Sequence, residues 1–152
     1  LDKSNPWPPL QLGRLYRDGL GVEQDYKKAF EWFTKAAGQG QPYAQISLAH
    51  MYRDGKGVKQ DYKKAFEWFT KAAGQGNSYG QSGLGHLYLV GWGVPKDNEK
   101  AYAWFTISVA SGLADAKKSM TGAAKTMTST QITKAEALAK EMVKKNPKLL
   151  KK

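Results

Sequence analysis

Residues 43–76 read YAQISLAHMYRDGKGVKQDYKKAFEWFTKAAGQG, and this stretch decides the fold because its landmarks recur along the chain at intervals of 36 residues. Tyr52 has counterparts in Tyr16 and Tyr88, Gly55 in Gly19 and Gly91, and Gly57 in Gly21 and Gly93. Val22, Val58 and Val94 follow, then Asp25, Asp61 and Asp97, Ala29, Ala65 and Ala101, and last Trp32, Trp68 and Trp104. Self-similarity at such a period marks a stacked array, in which a unit buries its apolar face only against its neighbours.

Within the stretch, Ala44, Leu48, Met51 and Tyr52 lie at i, i+4, i+7 and i+8, the apolar stripe of a short helix. Gly55 ends that helix, and Gly55-Lys56-Gly57 makes a tight turn whose backbone calls for positive φ. Asp61 is placed to N-cap a second helix by accepting from its free N–H groups. Ala65, Trp68, Phe69, Ala72 and Ala73 form that helix's apolar face, and Gly74-Gln75-Gly76 closes it. Small Ala49, Ala65 and Ala72 let the helices approach, while Tyr52, Trp68 and Phe69 fill the space between them.

Residues 24–40 and 60–76 are identical, and the first copy opens at Pro8 and Pro9, as suits proline in a first helical turn. After the third copy, residues 114–125 read as another first helix, with Ala116 in register with Ala44. Thr128 and Gln131 form a capping box, and Met127 and Ile132 a hydrophobic staple. The following helix has one apolar face (Ile132, Ala135, Leu138, Ala139, Met142) and one wet face (Lys134, Lys140, Lys144, Lys145), until Asn146-Pro147 stops it. That asymmetry suits a terminal cap. The expected organisation is an extension over 1–7, repeats over 8–43, 44–79 and 80–115, capping helices over 116–146, and a basic tail over 147–152.

The chain has 152 residues and a formal charge of +11. Residues 113–152 hold 10 lysines against 3 acids, so most of the excess sits at the C-terminal end. Because these lysines are spread over helical positions, they read as a solvated cap, with an anionic partner (nucleic acid, lipid or acidic protein) as the alternative. With 0 cysteines, disulfides, thiolate zinc sites and thiol nucleophiles are excluded. No apolar run approaches the ~18–20 residues that would cross a bilayer. The chain opens on Leu1 rather than methionine, which reads as a processed or trimmed product whose targeting signal is out of view; the compartment is left open, with bacterial periplasm or secretion favoured over the cytoplasm.

Catalytic patterns are absent: there is no Gly-x-Ser-x-Gly, no Walker sequence and no His-Glu-x2-His. Gly74, Gly76 and Gly80 narrowly miss a dinucleotide fingerprint and follow a helix, so they read as an interhelical turn. His50 and His86 stand 36 residues apart, and hence side by side on successive first helices. Metal sites want three or four ligands and the first copy carries Arg14 there, so surface histidines are the favoured reading. Residues copied unchanged between repeats are scaffold, whereas an active site is a single constellation. No catalytic residue, cofactor or metal site is expected.

These residues resemble the Sel-one-like repeats, relatives of the tetratricopeptide repeats. The family pattern Ala-x3-Leu-Gly-x2-Tyr-x2-Gly-x-Gly-Val-x2-Asp-x3-Ala-x2-Trp-x3-Ala-Ala-x2-Gly is matched here by Ala44, Leu48, Tyr52, Gly55, Gly57, Val58, Asp61, Ala65, Trp68, Ala72, Ala73 and Gly76, with Ala49 at the first glycine. The third copy departs at Gly80, Ser108 and Val109. The resemblance implies an all-α, right-handed α-solenoid of helix–turn–helix repeats with C-terminal capping helices. It implies a non-enzymatic scaffold or adaptor that binds a protein or peptide, with bacterial immunity and regulatory proteins among its members. A β-lactam-acting hydrolase is the enzymatic alternative, carried in the family by cysteine-rich members that this chain does not match.

By the same fold analogy the first helices line a concave groove. Counting from Leu48 and Tyr52 as buried anchors, the groove-facing positions are Tyr43, Ile46, His50, Arg53 and Asp54 in copy two. Their equivalents are Leu10, Arg14, Arg17 and Asp18 in copy one, and Tyr79, Ser82, His86, Leu89 and Val90 in copy three. The groove is thus expected to grade from basic to apolar. The third copy also exchanges Arg53-Asp54-Gly55-Lys56 for Leu89-Val90-Gly91-Trp92, which reads either as an exposed partner site or as a patch covered by the C-terminal helices. Trp7 is expected to plug the first helix. A monomer with no specific nucleic-acid partner is expected.

Overall fold

The computed structural model describes residues 7–150 and contains, among them, helices and turns but no strand. The first pair is α1 (Pro9–Asp18) and α2 (Tyr26–Gly38), the second α3 (Pro42–Asp54) and α4 (Tyr62–Gly74), and the third α5 (Ser78–Val90) and α6 (Asn98–Ala110). The chain closes with α7 (Ala116–Ala124), α8 (Ser129–Lys145) and a 3-10 turn, Pro147–Leu150. Each helix packs on the next from α1 to α7, and α8 then folds back across α6. Order in space follows order in sequence, which makes the molecule an α-solenoid. The second and third pairs begin at Pro42 and Ser78, slightly ahead of the sequence-based divisions at 44 and 80.

The turn inside each pair is built the same way three times. Gly19, Gly55 and Gly91 cap the first helices in the left-handed region. The backbone N–H of Asp25, Asp61 and Asp97 donates to the carbonyl of Tyr16, Tyr52 and Tyr88 at 2.9, 2.8 and 2.9 Å. Each aspartate then accepts from N–H groups of the second helix: Lys27 and Lys28, Lys64, and Lys100. One residue therefore ends one helix and starts the next, as the N-cap reading of the sequence requires.

The second glycine of each turn has a further duty. A Cβ on Gly57 would overlap the carbonyl oxygen of Tyr26, and one on Gly93 that of Tyr62, because these turns press on the N-terminus of the preceding repeat's second helix. Gly21, with no repeat before it, has the same positive φ of 75° but no atom within 4 Å of its missing Cβ. Val58 and Val94 pack into the seams behind these turns, whereas Val22 is 38% exposed.

Three phenylalanines fill the centre. Phe33, Phe69 and Phe105 are fully buried. Each ring is admitted by a glycine on a first helix, since a Cβ on Gly13, Gly83 or Gly85 would come within 2.6, 2.5 and 2.6 Å of Phe33, Phe69 and Phe105. Alanines at the second-helix ends, Ala36 and Ala37 or Ala72 and Ala73, complete the seams against Leu48 and Leu84.

The third repeat breaks the pattern where α8 covers it. In α2 and α4 a lysine lies over the tryptophan, Lys35 on Trp32 at 4.3 Å and Lys71 on Trp68 at 4.1 Å. In α6 the positions of Glu67 and Lys71 become Ala103 and Ile107, and both are buried against α8 with Trp104, Ala139 and Val143. A helix apolar on both sides must be covered on both. The Thr128–Gln131 capping box at the start of α8 is present with both its hydrogen bonds.

Pro147–Leu150, which the sequence reading places in a basic tail, is docked. Leu149 is buried, and its carbonyl accepts from Gln81 Nε2 at 2.6 Å and Ser111 Oγ at 2.8 Å. In repeat two the matching positions bond directly, Gln75 Nε2 to Gln45 Oε1 at 2.9 Å. The shorter Ser111 cannot reach, so the returning chain supplies the acceptor. The remaining tail residues, and all of the expected N-terminal extension except Trp7, lie outside the described residues.

Two expectations for stability follow. Gly21→Ala should cost about 1–2 kcal/mol, the strain of a left-handed alanine. Gly57→Ala should cost roughly 1–3 kcal/mol more, the added cost of overpacking, and equal losses in urea unfolding would contradict the docking role. Leu149→Ala should cost about 2–5 kcal/mol as a core truncation, while Leu150→Ala, at a 38% exposed position, should cost little.

Candidate functional site: a trough across the first helices

A trough of about 780 Å³ crosses α1 and α3 and ends at Tyr79 on α5. Tyr43 and Tyr79, each the second residue of its helix, form one lip; they are 50% and 53% exposed, with ring centroids 6.5 Å apart. Ser47 Oγ donates to the Tyr43 carbonyl at 2.9 Å, a bond that stays within the helix. Ile46 and Met51 are buried and supply an apolar floor.

The opposite side is polar. Arg17 grips Asp18 with two hydrogen bonds, at 2.6 and 2.7 Å, and Arg53 grips Asp54 the same way at 2.7 and 3.0 Å. These bonds hold both carboxyls below the usual range, against the opposing effect of burial. Gln24 Nε2 donates to the Arg17 carbonyl and Gln60 Nε2 to that of Arg53, both at 2.7 Å, so each arginine's backbone is tied to the turn that follows it. Lys56 sits 5.4 Å from the Tyr26 ring centroid. Arg14 lines the trough and makes no ion pair among the described residues.

His50 joins the trough to the core. One face of its ring meets Phe69 edge-on at 5.2 Å, while its outer edge stays exposed to the trough. Desolvation by that packing, and then the charge of Arg53, push its pKa down to about 4, so it is neutral at pH 7. His86 meets Phe105 likewise, at 4.9 Å. Its Nδ1 lies 2.9 Å from the Ser82 carbonyl oxygen, which can only accept, so Nδ1 carries a proton, and Nε2 lies 3.3 Å from Ser119 Oγ. The histidines edge the buried rings, and among the described residues no group of three metal-binding side chains forms.

Of the residues the sequence placed in a groove, Arg14, Arg17, Tyr43, Ile46, His50 and Tyr79 come together here. Leu10 does not; it packs half-buried against the cluster of Ala29 and Phe33. Arg53 turns to Asp54, which lines the trough in its place. Ser82 and His86 lie beyond the trough, beside Ser119 of α7, and Leu89 packs against Phe105, Ala123 and Met120. Val90 is 47% exposed. Trp92 is covered in part by the preceding repeat rather than by the C-terminal helices, its ring stacked on Tyr62 at 4.8 Å. The trough therefore stops at Tyr79 instead of running on to an apolar end. Trp7, expected as a plug, is 54% exposed and lies in the 36-residue register of Tyr43 and Tyr79.

Gln24, Tyr26, Ser47, Met51 and Lys56 also line the trough and were not singled out from the sequence. Counting positions on first helices alone misses the inter-repeat turns. The signal was Lys56 in the Gly-Lys-Gly turn, which repeat stacking brings onto Tyr26.

Stacked helix–turn–helix units with an open face on their first helices define a tetratricopeptide-like α-solenoid. The Sel1 repeat matches residues 10–41, 42–77 and 78–113, and the chain belongs to the Sel1 repeat family. It is similar to the crystal structure of a protective antigen present in uropathogenic Escherichia coli strains and displaying an SLR fold. The identity is 37% and the TM-score 0.84, over 93% of this chain and 31% of that one. It is also similar to a Sel1 repeat protein from Oxalobacter formigenes, with 32% identity and a TM-score of 0.69, over 74% of this chain and 46% of that one. The chain thus spans less than half the length of either. No curated protein matches it.

His50 sets a pH dependence. Its folded pKa lies below the unfolded value of 6.5, so the unfolded chain takes up a proton first as pH falls. Stability should be flat above neutrality and decline from pH 6.5 toward 4, and His50→Gln should flatten that slope in thermal melts between pH 7 and 5. An unchanged slope would show that the ring titrates as in water.

Proposed function

We propose that this chain is a protein-binding scaffold that holds a segment of a partner protein in the trough across α1, α3 and α5. The Sel1 repeat fold suggests a protein-interaction scaffold and is typically non-catalytic. The observation that carries the reading is the Tyr43–Tyr79 lip, two aromatic rings half open to solvent above a floor of Ile46 and Met51. Exposed tyrosines over an apolar floor, beside arginines already held in place, are the composition of interface anchors. The side chains gain contact area on binding and lose little freedom, because the helices hold their backbones and Arg17 is fixed by Asp18.

Capture of a partner from the native organism, identified by mass spectrometry, is the first test. The double variant Tyr43→Ala/Tyr79→Ala should weaken binding of that partner by roughly 30-fold or more, as for hot-spot residues, with an unchanged helical circular dichroism spectrum. A partner that binds this variant as well as the wild type would place its site elsewhere.

A further inference from the structure

The trough is not electrically balanced. Arg17 and Arg53 are each neutralised by the aspartate next in sequence, at 2.6 and 2.7 Å. Arg14 makes no ion pair among the described residues, its charge reaching Asp18 one turn on only from a distance, and Lys56 is held over Tyr26 rather than on a carboxylate. The reason lies in the repeat register. Copies two and three carry His50 and His86 at this position, and both rings are spent on covering buried Phe69 and Phe105. In copy one the guanidinium of Arg17 lies 5.9 Å over Phe33 instead, so Arg14 is left to face the trough. The end of the trough formed by repeat one is therefore positive, on a chain whose formal charge is already +11.

Spacing adds a second constraint. An extended chain places side chains on one face every second residue, about 6.6–6.8 Å apart. The Tyr43 and Tyr79 ring centroids are 6.5 Å apart, with Ile46 between the helices beneath them. A segment lying along this lip can set alternate apolar side chains on successive rings. Nucleic acid fits less well, because a run of phosphates needs a run of unpaired cations, and here Arg17 is bonded to Asp18 while Arg53 turns away to Asp54.

We infer that the trough takes an extended acidic polypeptide segment, with an Asp or Glu carboxylate on Arg14 and alternate apolar side chains on Tyr43 and Tyr79. This rests on the trough being the partner site, and it adds the chemistry of the partner. It also gives the segment a direction, with the acidic residue toward repeat one and the apolar residues toward repeat three. Charge at an exposed site acts mainly on recognition and association rate, so binding weakens as salt screens it.

The test is a phage-displayed library of random dodecapeptides panned on the full chain, with Arg14→Ala, Arg14→Glu and Tyr43→Ala/Tyr79→Ala in parallel. Circular dichroism checks that each variant is folded. Wild type should enrich peptides with Asp or Glu beside alternating apolar residues. Those peptides should bind Arg14→Glu roughly tenfold or more weakly, with Arg14→Ala between, and Arg14→Glu should enrich Lys or Arg instead. Peptides that need the tyrosines but carry no acid, and bind Arg14→Glu unchanged, would overturn the acidic assignment and leave the trough as the site. Peptides indifferent to the tyrosines, or no enrichment at all, would overturn both. Displacement of the selected peptides by a thymidine dodecamer at equal concentration would assign the site to nucleic acid and overturn the inference.

Discussion

Phe33, Phe69 and Phe105 sit one per repeat, sealed from solvent, and each touches a first helix at a position where only a glycine hydrogen fits. This contact fixes how closely consecutive helices approach, because a buried ring packed to native density cannot move aside without opening a void elsewhere. The consequence reaches the surface. His50 covers the edge of Phe69, and with Ile46 and Met51 it sets the depth of the trough that Tyr43 and Tyr79 overlook. The outer face that can engage a partner is thus positioned by the inner contacts that hold the array together.

The repeat is also where individuality enters. Gly57 and Gly93 press on the carbonyls of Tyr26 and Tyr62, so their turns are locked, while the residue between the glycines is left to vary. Lys56 places a cation over Tyr26 and Trp92 stacks on Tyr62, giving two different chemistries on one backbone. At the end of the array the change from Lys71 to Ile107 and from Gln75 to Ser111 converts a repeating face into a receiving one. There α8 covers Ala103 and Ile107, and the Leu149 carbonyl meets Gln81.

No helix among the described residues is long and apolar enough to cross a membrane. The lysines of α8 face outward, and one of them, Lys145, pairs with Glu141 at 2.6 Å on the exposed side. Pairs of this kind contribute little to stability. Their effect is to keep the outer side of the cap wetted while its inner side is buried, as the end of a solenoid requires.

The 36-residue recurrence alone determined the helix pairs, their order, the aspartate caps and the buried phenylalanine positions, because these depend on spacing within a repeat, while the tryptophans of the same register are only half-buried. The capping box of α8 was legible for the same reason. What only the tertiary structure decided lies between repeats: that Leu10 and Leu89 pack inward, that Tyr26 and Lys56 share the trough, and that the chain after Pro147 docks instead of trailing. Local periodicity says which face of a helix is apolar, but it cannot say which neighbour covers that face or how far a turn reaches. Those outcomes follow from the angle at which one pair leans on the next, and that angle is set by side chains distant in sequence and in contact only once the array has formed.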